Sequence, residues 1–186
     1  MDITSVSLLE RLRRTPDPAA WQRLIDLYEP FVRGCLGRDP ALANDADDLT
    51  QDVMAALVRE LPRFERQRDG SFRAWLRTVA ANRVRQWGRD RRPAIGPDAL
   101  ADVPDPSAGL SARWDADHDC HVLRRLLELI EPEFSRPVWQ AFRRLALDGA
   151  SAAEVAVELG TTENAVLLSK SRVLRRLREE AAGLVD

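Results

Sequence analysis

The chain has 186 residues, which is enough for one or two small domains with cores of their own. No run of apolar residues approaches the length of a membrane span, and residues 1–14 lack the apolar centre and cleavage site of a secretory signal. We therefore expect a cytoplasmic protein without membrane insertion. Cys35 and Cys120 lie far apart in sequence, so neither a disulfide framework nor a cysteine metal site is predicted, and no cofactor is expected.

The charges are separated along the chain, although the net charge is only −2. Residues 59–92 carry eleven arginines against four acids, and residues 165–178 carry five bases and no acid. Residues 39–52 hold five aspartates and no base, while residues 98–119 hold six aspartates against one arginine. Basic and acidic segments in one chain predict more than one kind of partner.

Three helical stripes precede residue 92, and none shows the alternation of a strand. They repeat apolar residues at helical spacing and are expected to share a core: Trp21, Leu24, Ile25, Leu27 and Tyr28; Leu49, Val53, Ala56, Leu57 and Leu61; Trp75, Leu76, Val79, Ala80, Val84 and Trp87. Pro62 ends the second stripe, and residues 63–72 form a loop with arginine and aromatic side chains.

The composition of this loop suits single-stranded DNA, because unpaired bases need an aromatic or apolar face and phosphates need cations. Taken alone, Phe64 and Phe72 are more often core residues. The third stripe leaves Arg77, Thr78, Asn82, Arg85, Gln86 and Arg89 on its opposite side. A solvated helix usually interleaves acids with its bases, yet residues 73–89 contain no acid, which favours contact with nucleic acid.

Residues 92–111 contain four prolines and two glycines, which predicts an extended linker. Beyond it we expect helices over residues 121–130 and 137–147, and then a helix-turn-helix from residue 151. The predicted fold is all-α, with two small helical domains at residues 1–92 and 116–186 and a proline-rich linker at residues 93–115.

The helix-turn-helix is indicated by its boundary residues. Ser151 and Glu154 form a capping box that begins the first helix, and Gly160 ends it because glycine takes a left-handed conformation at little cost. Thr161 or Thr162 then caps the second helix. On that helix, Val166, Val173 and Leu177 form the side that packs. The other side carries Asn164, Leu168, Ser171, Arg172 and Arg175, which are residue types that read bases in a major groove.

Three segments in order give the chain a resemblance to a known family: DADDLTQDV at 45–53, GSFRAWLRTVAANRVRQWGRDRR at 70–92 and NAVLLSKSRVLRRLREE at 164–180. The chain resembles the bacterial RNA polymerase sigma factors of the sigma-70 family, in the extracytoplasmic-function (ECF) group. The resemblance implies a first domain, sigma region 2, that binds core polymerase and the minus-ten promoter element. It implies a second domain, sigma region 4, that reads the minus-thirty-five element. Core polymerase, through its clamp helices and flap, and promoter DNA are the implied partners; an anti-sigma factor is left open.

By the same resemblance, Asp47, Asp48, Gln51 and Asp52 dock onto the clamp helices of the largest polymerase subunit. Carboxylates also suit the first turn of a helix, and capping by Asp45 would explain Asp45 and Asp47 equally well, but not Gln51 and Asp52. The resemblance implies minus-ten contacts by Phe64, Arg66, Ser71, Phe72, Arg77, Asn82, Arg85, Gln86 and Arg89. It implies minus-thirty-five contacts by Thr162, Asn164, Leu168, Ser171, Arg172 and Arg175. Leu167, Leu168 and Lys170 depart from the family pattern, so the promoter sequence is not carried over.

Other classes of protein are disfavoured. An enzyme that uses the aspartates at 45–52 for metal-assisted phosphoryl chemistry lacks a nearby histidine or lysine base. His118 and His121 share a helical face, but a fourth zinc ligand is not evident beside Asp117 and Cys120. The main alternative is a transcriptional regulator with the same helix-turn-helix and an N-terminal domain that senses or dimerises.

Overall fold

The part of the chain that the structure describes is mostly helical. This computed structural model describes residues 8–14, 17–64, 71–91 and 108–185, and those ranges contain no β-strand. None of the described helices is both long and apolar enough to cross a bilayer. One compact unit spans Leu8–Val122 with the last residues of the chain, and another spans Leu123–Ala182. The predicted all-α fold is confirmed.

The N-terminal unit is a bundle in which the predicted apolar stripes are buried. Its helices are α1 (Leu8–Arg14), α2 (Pro18–Gly37), α3 (Ala46–Glu60), α4 (Ser71–Asp90) and the first part of α5 (Ala108–Ile130). Asp17 begins α2, since its carboxylate accepts from the backbone N–H groups of Ala19 and Ala20 at 3.0 and 3.2 Å. α3 packs against both α2 and α4. The buried residues include Leu24, Leu27 and Tyr28; Leu49, Val53 and Leu57; Leu76, Val79 and Val84.

The linker predicted at residues 93–115 ends too late. Residues 92–107 lie outside the described part of the chain, but α5 begins at Ala108. Trp114 is fully buried within the N-terminal unit, and its ring packs edge-on against Phe31 of α2 with 4.7 Å between ring centroids. The boundary between the compact units therefore falls after Val122 rather than before residue 116.

Two histidines hold the first part of α5 against α2. His118 is fully buried, with Nδ1 2.7 Å from Asp119 and Nε2 3.3 Å from the Tyr28 hydroxyl. Burial raises the pKa of Tyr28 well above its usual value, so the hydroxyl keeps its proton. Because the Asp119 carboxylate accepts from Nδ1–H, Nε2 of the neutral ring accepts a hydrogen bond from this hydroxyl. His121 Nε2 donates to the carbonyl oxygen of Leu27 at 2.9 Å. These contacts engage ring nitrogens that a zinc site would need, and the described residues hold no group of three metal-binding side chains.

The C-terminal unit packs the remainder of α5 with three further helices, α6 (Arg136–Ala146), α7 (Ala152–Glu158) and α8 (Glu163–Ala181). One apolar cluster joins Ala141 of α6, Val155 and Ala156 of α7, and Val166 of α8. A second cluster joins Ile130, Phe142 and Val173. Since Val166 and Val173 lie two turns apart on one side of α8, the opposite side of this helix faces outward.

Arg176 anchors α8 within this unit. Its guanidinium donates to both carboxylate oxygens of Glu133, at 2.6 and 3.1 Å, and to Glu180 one turn further along α8. Glu180 is only 2% exposed, so the ion pair supplies the partner that a buried carboxylate requires. Arg176 is therefore committed to the fold, unlike the neighbouring arginines of the outward side.

Candidate nucleic-acid interface

A short turn at Gly160 joins α7 to α8 and sets the direction of α8. Ser151 Oγ accepts from the Glu154 N–H at 3.2 Å, and the Glu154 carboxylate accepts from the Ser151 N–H at 2.8 Å, so the predicted capping box is confirmed. Gly160 has φ +62°, the left-handed conformation that side chains with a Cβ rarely adopt. Thr162, rather than Thr161, caps α8 by accepting from the Ala165 N–H at 3.2 Å.

The residues predicted to read bases share the outward side of α8. This side carries Asn164, Leu168, Ser171, Arg172 and Arg175, which are all exposed. Within the described chain, no ion pair or hydrogen bond holds Arg172 or Arg175. The hydroxyl oxygen of Thr162, by contrast, is engaged as the helix cap. We call this set without Thr162 the α8 face; its contact with DNA stays a prediction.

The C-terminal half of α4 presents the polar residues predicted from the sequence. Asn82, Arg85, Gln86 and Arg89 are exposed, and Arg85 donates to the Asn82 side-chain oxygen at 3.1 Å. The buried side is formed by Val79 and Val84. These four exposed residues form the α4 face. A helix side with bases, amides and no carboxylate is suited to phosphate and base contacts.

The aromatic residues of the predicted DNA loop are core residues, which corrects the sequence interpretation. Phe64 is 7% exposed and Phe72 is fully buried. Phe72 packs against Tyr28 at 5.5 Å and against Phe64 at 5.6 Å between ring centroids, so neither ring offers a free face to a base. Arg66 lies outside the described residues, and the structure describes Ser71 only as the first residue of α4.

Arg77, predicted to contact DNA, is already paired with a carboxylate. It donates to Asp115 of α5, and its side chain is 31% exposed. One turn earlier on α4, Arg73 Nη1 lies 3.2 Å from both oxygens of Asp119. Two aspartates of α5 therefore pair with the two arginines in the N-terminal half of α4. The sequence pattern did not predict this pairing.

Of the predicted polymerase-docking residues, one is ion-paired and three have no described partner. Asp48, Gln51 and Asp52 are exposed on α3, with no ion pair or hydrogen bond to another described residue, and we call them the α3 face. Asp47 is paired with Arg33, whose Nε lies 3.0 Å from its carboxylate. Asp45 makes no capping hydrogen bond, so the capping alternative is wrong; its two oxygens accept from Arg91.

Comparison with known proteins decides the family. Residues 24–93 match the family described as Sigma-70 region 2. The ECF RNA polymerase sigma factor SigD of Mycobacterium tuberculosis is 32% identical over 183 residues, covering 91% of this chain and 81% of that protein. This chain belongs to the ECF sigma factors.

Two further relatives carry the similarity across both compact units. The ECF RNA polymerase sigma factor RpoE of Cereibacter sphaeroides is 28% identical, covering 92% of this chain and 94% of its own length. The RNA polymerase sigma factor CarQ of Myxococcus xanthus is 30% identical, covering 86% of this chain and 88% of its own length. Matches of this extent include residues of the second compact unit as well as of the region 2 segment.

Sequence reasoning about this ECF sigma factor missed Val58, an exposed apolar residue beside the α3 face, whereas it did single out Leu167. Val58 is 42% exposed and continues the line of Gln51 and Ala55 along α3 at helical spacing. Leu167 is 51% exposed next to Leu168 on α8. The sequence did contain a signal for such a residue, namely an apolar side chain within an otherwise polar side of a helix. Val58 extends the α3 face, and Leu167 borders the α8 face.

The capping box of α7 predicts a pH-dependent contribution to stability. Donation from the Ser151 backbone N–H, and then from its hydroxyl, lowers the pKa of Glu154 below its usual value. The charged carboxylate therefore stabilises α7 above the pKa of the unfolded chain, and this contribution is lost as the pH falls through the folded pKa. Ser151→Ala should raise the pKa of Glu154 towards its usual value in an NMR titration. Ser171→Ala, which removes an exposed hydroxyl from α8, is the control, and an unchanged Glu154 pKa in Ser151→Ala would show that the Ser151 hydroxyl does not contribute to the shift.

Proposed function

We propose that this ECF sigma factor binds core RNA polymerase and directs transcription initiation at specific promoters. The α3 face contacts the polymerase, the α4 face contacts the minus-ten element, and the α8 face contacts the minus-thirty-five element. The observation that carries this proposal is that α3 and α8 expose opposite charges on sides whose polar groups have no described partner, while their other sides are fixed in cores. This activity places the protein in the cytoplasm.

The charge of the α3 face supports a role in binding a basic partner. Asp48 and Asp52 are four residues apart on one side of the helix, an arrangement of like charges that weakens an isolated helix. Leu49, Val53 and Leu57 already fix α3 from its buried side. Neither carboxylate makes a described side-chain contact within the fold, whereas a basic surface on a partner would gain attraction and orientation from both.

The composition of the α8 face supports base reading in a major groove. The second helix of a helix-turn-helix enters that groove with its N-terminal residues nearest the bases. Asn164 and Leu168 lie in that part of α8, and they can address adenine and the methyl group of thymine. Arg172 and Arg175 follow on the same side and can address guanine or phosphate. Arg176, bound to Glu133 and Glu180, is excluded from this set.

A reconstituted transcription reaction tests the proposal. Core polymerase is combined with the purified full chain and a broad library of promoter sequences, and the transcripts are sequenced. The expected transcripts depend on the added chain and start from templates that share two separated sequence elements. The absence of any chain-dependent transcript would contradict the proposal. If the chain instead bound duplex DNA tightly as a dimer without core polymerase, and supported no initiation, it would be a transcriptional regulator.

A further inference from the structure

Two arginines of α4 face two aspartates of α5 at matching helical spacing. Arg73 and Arg77 are four residues apart, as are Asp115 and Asp119, so each pair lies on one side of its helix with about 6 Å of rise between its members. Arg73 contacts both oxygens of Asp119 at 3.2 Å and lies 3.9 Å from Asp115. Arg77 pairs with Asp115. The guanidinium groups of the two arginines are therefore both ion-paired with carboxylates of α5.

The occupied arginines lie on the same helix as the α4 face, in an i, i+4 row in which the buried Ala81 separates them from Arg85 and Arg89. Arg73 and Arg77 precede Asn82, Arg85 and Arg89 on a helix that carries no acid between residues 72 and 89. The planar guanidinium group binds a carboxylate and a phosphate with the same two parallel hydrogen bonds. A carboxylate in that position therefore occupies the place that a phosphate would take.

We propose that Arg73 and Arg77 form a phosphate-binding surface for single-stranded DNA, and that Asp115 and Asp119 occupy this surface when DNA is absent. The proposal rests on the proposed function for the identity of the nucleic acid, because the α4 face is assigned there to the minus-ten element. Its new content is the pair of binding residues and their competitor within the same chain. Arg73 was not among the DNA-contacting residues expected from the sequence.

The exposure of both carboxylates suits competitors that can be displaced from the arginines, although Asp119 has to keep its contact with the buried His118 ring. The side chains of Asp115 and Asp119 are 48% and 37% exposed, and ion pairs at such positions contribute little net stability. The same part of α5 also buries the Trp114 Nε1 group without a hydrogen-bond partner in the described chain, which makes its docking less favourable. If the arginines are free in only a fraction of the molecules, the apparent affinity for DNA equals the affinity of the free surface multiplied by that fraction.

Removing the competing charges tests the proposal in the full chain. The variant Asp115→Asn with Asp119→Asn keeps an oxygen that can accept from His118 and removes both negative charges. We measure its affinity for a fluorescein-labelled single-stranded DNA of mixed sequence by anisotropy, over a series of salt concentrations. We expect affinity to rise about threefold to tenfold, the gain from releasing two partly exposed ion pairs. The slope of log affinity against log salt should steepen by about 1.4, since each phosphate contact to a single strand adds about 0.7.

A matched variant separates this effect from a general change in charge. Glu128→Gln with Glu131→Gln removes the same net charge from exposed positions at the end of α5 and beyond it, neither of which pairs with Arg73 or Arg77, and should leave the affinity nearly unchanged. Adding Arg73→Ala and Arg77→Ala to the double asparagine variant should abolish its gain. Circular dichroism and thermal unfolding of each variant establish that it is folded.

Equal gains in the matched variant, or a gain that survives the loss of both arginines, would overturn the proposal. If the increase in affinity were larger for duplex than for single-stranded DNA, the assignment of single-stranded DNA as the partner would be wrong. The outcome is distinguishable from failure of the proposed function, because anisotropy needs no polymerase. A gain in binding without any chain-dependent transcript would support this surface and contradict the initiation role.

Discussion

Core polymerase should bind the variant Asp48→Arg with Asp52→Arg at least about a hundredfold more weakly than it binds the native chain, because like charges placed across an interface cost several kcal/mol. Both side chains are exposed and have no described partner, so their replacement removes no contact within the fold. The opposite side of α3 keeps Leu49, Val53 and Leu57 in the core. The loss should therefore appear in polymerase binding and in transcription, with thermal stability retained.

The measurement is titration of labelled full chain with core polymerase, accompanied by duplex DNA binding without polymerase. Asp90→Arg with Glu131→Arg is the matched control, since both positions are exposed and the change in net charge is the same. Only the α3 variant should lose core binding, and both should retain DNA binding. Native core affinity in the α3 variant would remove the α3 face from the interface and leave Val58 and its neighbours without a role there.

The features that could be predicted from the sequence depend on residues within about one helical turn of each other. Ser151 and Glu154 are three residues apart, and the left-handed glycine follows directly from the end of the apolar spacing. The outward side of α8 likewise follows from the spacing of Val166 and Val173. In such cases local geometry decides the outcome, and the rest of the fold only has to accommodate it.

The features that were missed depend on partners far away in the sequence. Asp45 looks like a helix cap, but Arg91, 46 residues later, takes both of its oxygens. Phe72 looks like a base-stacking residue in its loop, but Tyr28 and Phe64 enclose it. Arg77 looks unpaired on α4 until Asp115 of α5 is beside it. Local patterns describe what a side chain can do, and tertiary contacts decide whether it is free to do so.

The early start of α5 shows how a polar residue can conceal a buried helix side. Trp114, His118, His121 and Val122 recur at spacings of four, three and one, which is the spacing of a helix side. Because histidine counts as polar and prolines precede this segment, the pattern is typical of a linker. His118 is nevertheless fully buried, and Asp119 and Tyr28 satisfy its ring nitrogens. Burial of this imidazole depends on those two partners, which the local sequence pattern does not reveal.

Arg172→Ala and Arg175→Ala should each weaken binding of the minus-thirty-five element by about 1–3 kcal/mol if the side chains contact base edges. Both are exposed on the α8 face, and no ion pair or hydrogen bond among the described residues has to be broken before they bind DNA. The measurement uses the full chain with core polymerase on a library randomised across the upstream element. A base contact changes the preferred base at a defined position, whereas a phosphate contact weakens all sequences alike.

Replacement by lysine separates base reading from charge. Arg172→Lys and Arg175→Lys keep the positive charge but lose the planar pair of donors that matches guanine, so a guanine reader should lose its preference in the lysine variant while salt-dependent affinity is largely kept. Arg178→Ala is the matched control, because it removes one exposed arginine from the last turn of α8. Unchanged base preference in all four variants, with equal weakening in the control, would assign Arg172 and Arg175 to the phosphate backbone. Specificity at this element would then be left to Asn164, Leu168 and the shape of the DNA.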